Sequence, residues 1–295
     1  MSAHVADPPV PVKPDVIGVG FLYHGVPEFA RLYERLVEVG GHIDLVEFLA
    51  AHHHADPGHL ADIIDSLGGV PSTLHCFEYM IGSVDRPAAA TVERLRRMVE
   101  LSNCRYIGEH VGVMGTRDRY SGTFLQPFGT DEQTEVFIEN LKRDRDVAGV
   151  PFIIENQAQI YDQVGPRSVC EQVRDIAEGA DVGILLSMSN FTVAERFHPM
   201  DRERELEAIP LERVWQLHIP LGSGAELAEP DNGRQRREQE WAHATAEQLF
   251  KEESFRPVSI VLEVQNAGTI ALATPEEIRD GLDWARDLLG SGADR

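Results

Sequence analysis

The 295-residue sequence lacks the features of several common protein classes. It has only three cysteines, Cys76, Cys104 and Cys170, with no Cys-x-x-Cys spacing. An odd, scattered set argues against a disulfide framework or a zinc–thiolate site, so we interpret all three as small buried residues. No apolar run approaches the ~18 residues of a membrane-spanning helix. A membrane protein is therefore not expected.

The N-terminal segment MSAHVADPPVPVKPD lacks the basic stretch and apolar core of a secretory signal. Its prolines predict an extended arm over residues 1–15, followed by a single domain over residues 16–295. Without a signal or a membrane span, we expect a cytoplasmic protein.

Positive charge is also scarce, since 27 Lys and Arg residues face 49 Asp and Glu residues and give a formal net charge of -22. This charge repels phosphate backbones, and no basic stripe offsets it, so nucleic acid is not an expected partner. A negative surface keeps the protein soluble and could favour a cation or a basic peptide. The signatures GxGxxG, GxSxG, HExxH and the P-loop are absent as well.

What the sequence does contain is an alternation of apolar strand patterns and amphipathic helix patterns. The eight predicted strands cover residues 16–22, 42–49, 71–76, 104–111, 151–156, 182–188, 214–220 and 258–264. The predicted helices cover residues 26–40, 56–69, 88–101, 130–149, 167–179, 201–209, 240–253 and 274–290. Alternation of this kind implies parallel strands with right-handed crossovers, and about 250 residues are enough for eight such units. We predict an α/β fold, a (β/α)8 TIM barrel of the xylose-isomerase-like type.

In such a barrel the active site lies at the carboxyl ends of the strands. Most of the predicted strands carry or end on ionisable or amide side chains: Glu47, His75, Glu109, His110, Glu155, Asn156, His218 and Glu263. Imidazoles and carboxylates that converge on one mouth suit a divalent metal such as Zn, Mn or Fe. We predict a metal site there. A long loop over residues 222–238 after the seventh strand is a further functional candidate.

Two other groups of polar residues have less support as sites. His52, His53 and His54, with His59 nearby, are interpreted mainly as a solvated loop, because three consecutive residues cannot all face one ion. Arg117 and Arg119 follow the fourth strand and could bind a substrate carboxylate, although a surface ion pair is the simpler interpretation.

Six segments in order resemble the multinuclear non-heme iron-dependent oxidative enzymes, the TIM-barrel family that includes the methanobactin-biosynthesis oxidase. The segments are STLHCFEYMIGS, YIGEHVGVM, FIIENQ, LLSMSNF, LERVWQLHIP and VLEVQN, within residues 16–269. The resemblance implies an iron site of one or two ions held by His75, His110, Glu155, His218 and Glu263. It further implies catalytic roles for Glu155, His218 and Glu263. Supporting or substrate-binding positions would be Glu47, Glu109, Asn156, Ser187, Asn190 and Asp231.

The sequence departs from this family at several expected ligand positions. Ser187 and Ser189 stand where the family has Asp and Asn, Gly222 replaces a His, and Asn232 stands where a His is expected. A serine hydroxyl cannot supply the charge of a carboxylate, so the resemblance implies a reduced metal site.

Three functions remain open at this point. The first is oxidative modification of a cysteine-containing peptide or small thiol by iron and O2, in which a leader-binding partner protein could deliver the peptide. The second is a metal-dependent sugar isomerase or epimerase, in which Glu155 and Glu263 act as ligands or bases. The third is a metal-poor relative that binds a peptide or partner without catalysis.

Overall fold

A computed structural model of the chain describes residues 12–23, 27–116, 119–221, 234–263 and 274–293. It contains ten strands in the described residues. They are β1 (Gly18–Tyr23), β2 (Leu45–Leu49), β3 (Ser72–Cys76), β4 (Cys104–His110), β5 (Val113–Thr116), β6 (Arg119–Leu125), β7 (Phe152–Glu155), β8 (Gly183–Ser187), β9 (Val214–Pro220) and β10 (Ser259–Glu263). Eight of them form a closed barrel in the order β1-β10-β9-β8-β7-β4-β3-β2, and all neighbours in it are parallel. The predicted fold class is confirmed.

Helices connect the barrel strands and cover the outside of the sheet. Their bounds are α1 (Pro27–Glu38), α2 (His59–Ser66), α3 (Ala89–Leu101), α4 (Asp131–Ala148), α5 (Val169–Ala180), α6 (Met188–Glu195), α7 (Arg202–Glu207), α8 (Arg234–Leu249) and α9 (Pro275–Ala293). Local sequence explains several of these bounds. Ser168 and Glu171 form a capping box at the start of α5, and Gly149 ends α4 in the left-handed conformation at φ 79°. None of the helices in the described ranges is long and apolar enough to cross a membrane.

The structure corrects three local predictions. Strands β5 and β6 form an antiparallel hairpin where a loop was predicted; Arg119 lies exposed in β6, and Arg117 is outside the described residues. Met188 begins α6 and is not the end of a strand, because the Ser187 side chain caps this helix. Helix α8 begins at Arg234, so the loop predicted up to residue 238 is shorter, and residues 222–233 lie outside the described part.

The two ends of the barrel interior differ in composition. At the amino ends of the strands an apolar cluster fills the interior: Tyr106, Ile153, Leu185, Trp215 and Val258. Beside it, the Lys13 ammonium donates hydrogen bonds to the carbonyls of Val214 (2.7 Å) and Arg256 (3.0 Å). Of the predicted arm, residues 1–11 are outside the described part. Because the apolar cluster fills the interior at the amino ends, we expect a site for polar chemistry at the carboxyl ends of the strands.

Candidate metal centre

Alternation along the strands decides which side chains enter the barrel, because successive residues of a strand point to opposite faces. His110 on β4 pairs with Glu155 on β7, and Glu47 on β2 pairs with Thr73, two residues before His75 on β3. These side chains are buried and meet inside the barrel at its carboxyl end.

Three of the predicted ligands form one compact group. His75, His110 and Glu155 each offer a ligand atom, and the three atoms lie within 4.8 Å of one another. Glu155 Oε2 lies 2.9 Å from His110 Nε2 and 3.3 Å from His75 Nε2. It is nevertheless a buried atom that accepts no hydrogen bond of normal geometry from the residues that the structure describes. Buried acceptors rarely stay unsatisfied, so this arrangement fits a carboxylate and two imidazoles that share an ion.

The distances also suit a metal ion. Ligands at about 2.1 Å from a common ion lie about 3.0 Å apart at octahedral and about 3.4 Å apart at tetrahedral angles. The two Glu155–imidazole separations, 2.9 and 3.3 Å, fall close to this range. Burial raises the pKa of Glu155, but His110 and His75 outweigh it and hold that pKa well below its usual range. The residues present therefore fit a divalent metal.

A backbone hydrogen bond orients His110, and a glycine makes room for the ring of His75. His110 Nδ1 lies 2.9 Å from the backbone carbonyl of Cys76, which accepts the ring N–H and turns Nε2 toward Glu155. The His75 ring lies against Gly108, where any Cβ would come within 3.2 Å of Nδ1. Glycine at this strand position thus leaves room for the imidazole.

His218 and Glu47 form a second buried pair below the three-residue group. His218 Nε2 lies 2.7 Å from Glu47 Oε2, and His218 Nδ1 lies 3.8 Å from Glu155 Oε1. Burial raises the pKa of Glu47, but His218 overcomes this and lowers it to about 2. Burial likewise lowers the pKa of His218, which Glu47 then raises to about 9. The metal-free pair is therefore a buried ion pair, with Nδ1 directed at the centre.

Glu47 is itself held by two residues that sequence inspection missed. Its Oε1 accepts hydrogen bonds from Thr73 Oγ1 (3.0 Å) and Gln216 Nε2 (2.6 Å). Gln216 Oε1 in turn accepts from the Tyr106 hydroxyl (2.8 Å) and from Ser259 Oγ (3.3 Å). Thr73 and Gln216 each precede a predicted histidine by two residues, so the period-two alternation of strands is a signal that could have found them.

The predicted supporting residues Asn156, Ser187 and Asn190 connect β7 to β8 and contact Glu155. The Asn156 amide accepts from Ser187 N (2.8 Å) and donates to Ser187 O (3.1 Å), which ties β7 to β8. The Ser187 hydroxyl accepts from Asn190 N at the start of α6. Asn190 Nδ2 donates to Glu155 Oε1 (3.0 Å) and to the Asn156 carbonyl (2.7 Å).

Two other predicted residues, Glu263 and Glu109, differ in whether their side chains face the centre. Glu263 ends β10, its Oε2 is buried without a hydrogen-bond partner among the described residues, and its charge contributes to the raised pKa of His218. Glu109, in contrast, is adjacent to His110 and points to the opposite face of β4. There burial, followed by the charges of Glu78 and Asp144, raises its pKa well above the usual range. Glu109 is thus separate from the centre.

The remaining candidates do not meet the centre in the part of the chain that the structure describes. Asp231, Gly222 and Asn232 lie outside the described residues. His53 is buried against the rings of Tyr23 and Phe48. His54 Nε2 lies 3.0 Å from Glu78 Oε1, and His52 and His59 are exposed.

The fold and this buried His–His–Glu group define a TIM barrel with a candidate metal centre at its carboxyl end. A family model described as "RiPP precursor modification enzyme MbnB/TglH/ChrH" matches residues 18–263. The chain belongs to this family, which confirms the resemblance inferred from the sequence.

The chain is also similar to curated relatives and to solved structures. A UPF0276 protein of Anaeromyxobacter sp. strain Fw109-5 is 25% identical over 200 residues, which cover 67% of this chain and 71% of the relative. A UPF0276 protein of Shewanella loihica is 27% identical over 145 residues, which cover 49% of this chain and 52% of the relative. Among solved structures, D-psicose 3-epimerase from Clostridium cellulolyticum H10 matches with a TM-score of 0.58 at 12% identity, covering 92% of this chain and 99% of the epimerase. An L-ribulose 3-epimerase matches with a TM-score of 0.56 at 15% identity, covering 95% of this chain and 96% of that one. At such identities the two structures show the fold alone.

Proposed function

We propose that the protein is an iron-dependent enzyme that oxidatively modifies a cysteine-containing peptide, with O2 as the oxidant. The observation that carries the proposal is the convergence of His75 Nε2 and His110 Nε2 on the unsatisfied Oε2 of Glu155. Two imidazoles and one carboxylate are a donor set that suits ferrous iron and leaves further positions for other ligands. Membership of a family that modifies peptide precursors supports a peptide as substrate.

The three residues of the group, His75, His110 and Glu155, would hold the ion. Bound ferrous iron would supply affinity for a thiolate and the capacity to reduce O2. His110 is held in one tautomer by the Cys76 carbonyl, so its Nε2 lone pair is presented to the centre. The burial of all three side chains keeps bulk water away from them.

Proton transfer is proposed for His218. Its Nδ1 is buried and has no hydrogen-bond partner in the described ranges, while Nε2 is held by Glu47. Held as an imidazolium by the Glu47 carboxylate, a group at this place could donate a proton through Nδ1 to a substrate atom at the centre. Glu263, next to His218, would add negative charge to the same side of the mouth.

A metal count combined with a peptide assay tests the proposal. The full chain, expressed with iron and purified without O2, should contain iron in amounts comparable to the protein, and a His75→Ala or Glu155→Ala variant should lose it. With O2 and a Cys-containing peptide encoded near the gene, the mass of the peptide should change only with iron-loaded wild-type protein. Absence of any bound transition metal would leave a binding role. Turnover of a ketose with manganese or cobalt would instead indicate an epimerase-type reaction.

A further inference from the structure

The two carboxylate oxygens of Glu155 lie in different surroundings. Oε2 faces the Nε2 atoms of His75 and His110 at 3.3 and 2.9 Å. Oε1 accepts a hydrogen bond from Asn190 Nδ2 at 3.0 Å and lies 3.8 Å from His218 Nδ1. A carboxylate that bridges two ions needs ligand atoms around both of its oxygens, and here the two sides are unequal.

The Oε1 side has fewer imidazole nitrogens close to the carboxylate than the Oε2 side, which has two. Neighbouring ligands of one ion lie about 3.0–3.4 Å apart, as estimated from metal–ligand bonds of about 2.1 Å. The separation between His218 Nδ1 and Glu155 Oε1, 3.8 Å, is wider than that. His218 also lies outside the group whose ligand atoms are mutually within 4.8 Å.

The Asn190 amide group adds a donor to this side. Its Nδ2 lies within hydrogen-bond distance of two oxygens, Glu155 Oε1 (3.0 Å) and the Asn156 carbonyl (2.7 Å). Since both neighbours are acceptors, the amide is oriented with its NH2 group toward Glu155. An NH2 donor at Oε1 occupies the side of the carboxylate where a second ion would be held.

Strand β8 supplies no charge to offset this. Ser187 is the Cα partner of His218 in the sheet register, so a side chain at this position is next to the Oε1 side. The serine is fully buried, and its hydroxyl accepts from Asn190 N at the start of α6. Position 187 therefore provides a neutral helix cap and no carboxylate for a second ion.

From these contacts we infer that Glu155 binds a single ion through Oε2, and that Asn190 is the positioning residue that holds Oε1 away from a second one. The inference rests on the proposed metal function and concerns its stoichiometry. It implies that His218 serves the centre as a proton-transfer group and not as a ligand of a second ion.

Anaerobic titration of the chelator-treated full chain with Fe(II) tests the number of ions. We expect saturation at one iron per chain and, after oxidation, the electron paramagnetic resonance signal of an isolated high-spin ferric ion. In Asn190→Asp combined with Ser187→Asp, two carboxylates face the Oε1 side; iron should rise toward two per chain, and the isolated-ion signal should decrease through magnetic coupling.

Asn190→Leu is the matched control, because it removes the amide donor without adding a ligand. It should still saturate at one iron, with affinity about 10–100-fold weaker, as expected when a ligand loses its orienting partner. Two coupled irons in the wild-type chain, or an unchanged affinity in Asn190→Leu, would overturn the inference. If the double variant does not fold, the wild-type count and the Asn190→Leu affinity still decide. A wild-type chain that binds no iron refutes the proposed function itself.

Discussion

Two polar layers lie one above the other inside the barrel, and they differ in whether their buried polar side-chain atoms have hydrogen-bond partners. In the lower layer, formed by Glu47, Thr73, Tyr106, Gln216 and Ser259, the side chains form one hydrogen-bonded network. In the upper layer, buried side-chain atoms lack hydrogen-bond partners in the described residues: His75 Nδ1, Glu155 Oε2, His218 Nδ1 and Glu263 Oε2. Only the upper layer is suited to receive an external ion.

His218 belongs to both layers, since Nε2 contacts Glu47 below and Nδ1 faces Glu155 above. A fully satisfied buried network rigidifies a core, whereas unsatisfied buried acceptors are costly unless a ligand completes them. The lower layer therefore supports the fold and the position of His218, and the upper layer supplies function. Substitutions in the two layers should have separable effects.

The largest effect on folding is expected from Glu47→Ala. The substitution leaves His218, Gln216 and Thr73 without their shared partner inside the barrel. Breaking a buried charged pair typically costs about 3–5 kcal/mol. Urea unfolding of the metal-free protein should show this loss in the free energy of unfolding. A loss below about 1 kcal/mol would mean that the lower layer does not support the fold.

Glu155→Gln should affect iron affinity strongly and the free energy of unfolding only weakly. It removes the charge on which both imidazoles converge, so iron affinity should fall by at least about 100-fold, beyond the range expected for an outer-sphere partner. The free energy of unfolding without metal should change less than in Glu47→Ala.

The control for this variant is Glu109→Gln, a buried carboxyl on the opposite face of β4. Fe(II) titration of both variants should separate them, with iron retained only in the control. Equal loss of iron would show that the affinity depends on general negative charge and not on the Glu155 position.

A pH effect follows from the ion pair in the metal-free protein. The pKa of His218 is raised to about 9, so its stabilising contribution is present below its usual pKa of 6.5 and is lost as pH rises through 9. The pKa of Glu47 is lowered to about 2, so its contribution is present above 4.5 and is lost as pH falls toward 2. Unfolding at pH 6.5 and pH 9 should show a decrease of a few kcal/mol that is largely absent in Glu47→Gln.

The smallest effect is expected from Thr73→Val, which keeps the side-chain shape and removes one donor to Glu47. Because Gln216 and His218 still contact that carboxylate, the loss should be about 1 kcal/mol, with iron binding unchanged. A change in iron stoichiometry would show that the layers are more strongly coupled than their geometry indicates.

The sequence predicts the barrel well, because its eight apolar runs are separated by amphipathic helices with clear caps. It also places His75, His110 and Glu155 at strand ends, and the structure brings these three together. It does not distinguish the directions of neighbouring side chains: Glu109 and His110 end the same run, but only His110 points inward. Nor does it reveal that Ser187 caps α6, since the strand pattern continues into Met188.

The two hydrogen bonds that orient His110 and His218 differ in their tolerance of mutation. The acceptor for His110 is the main-chain carbonyl of residue 76, which any amino acid at that position would still provide. The acceptor for His218 is the side chain of Glu47, which every substitution there alters. One imidazole is thus oriented by the course of the chain and the other by the identity of a single residue, so variation at position 47, and not at position 76, indicates a change of chemistry.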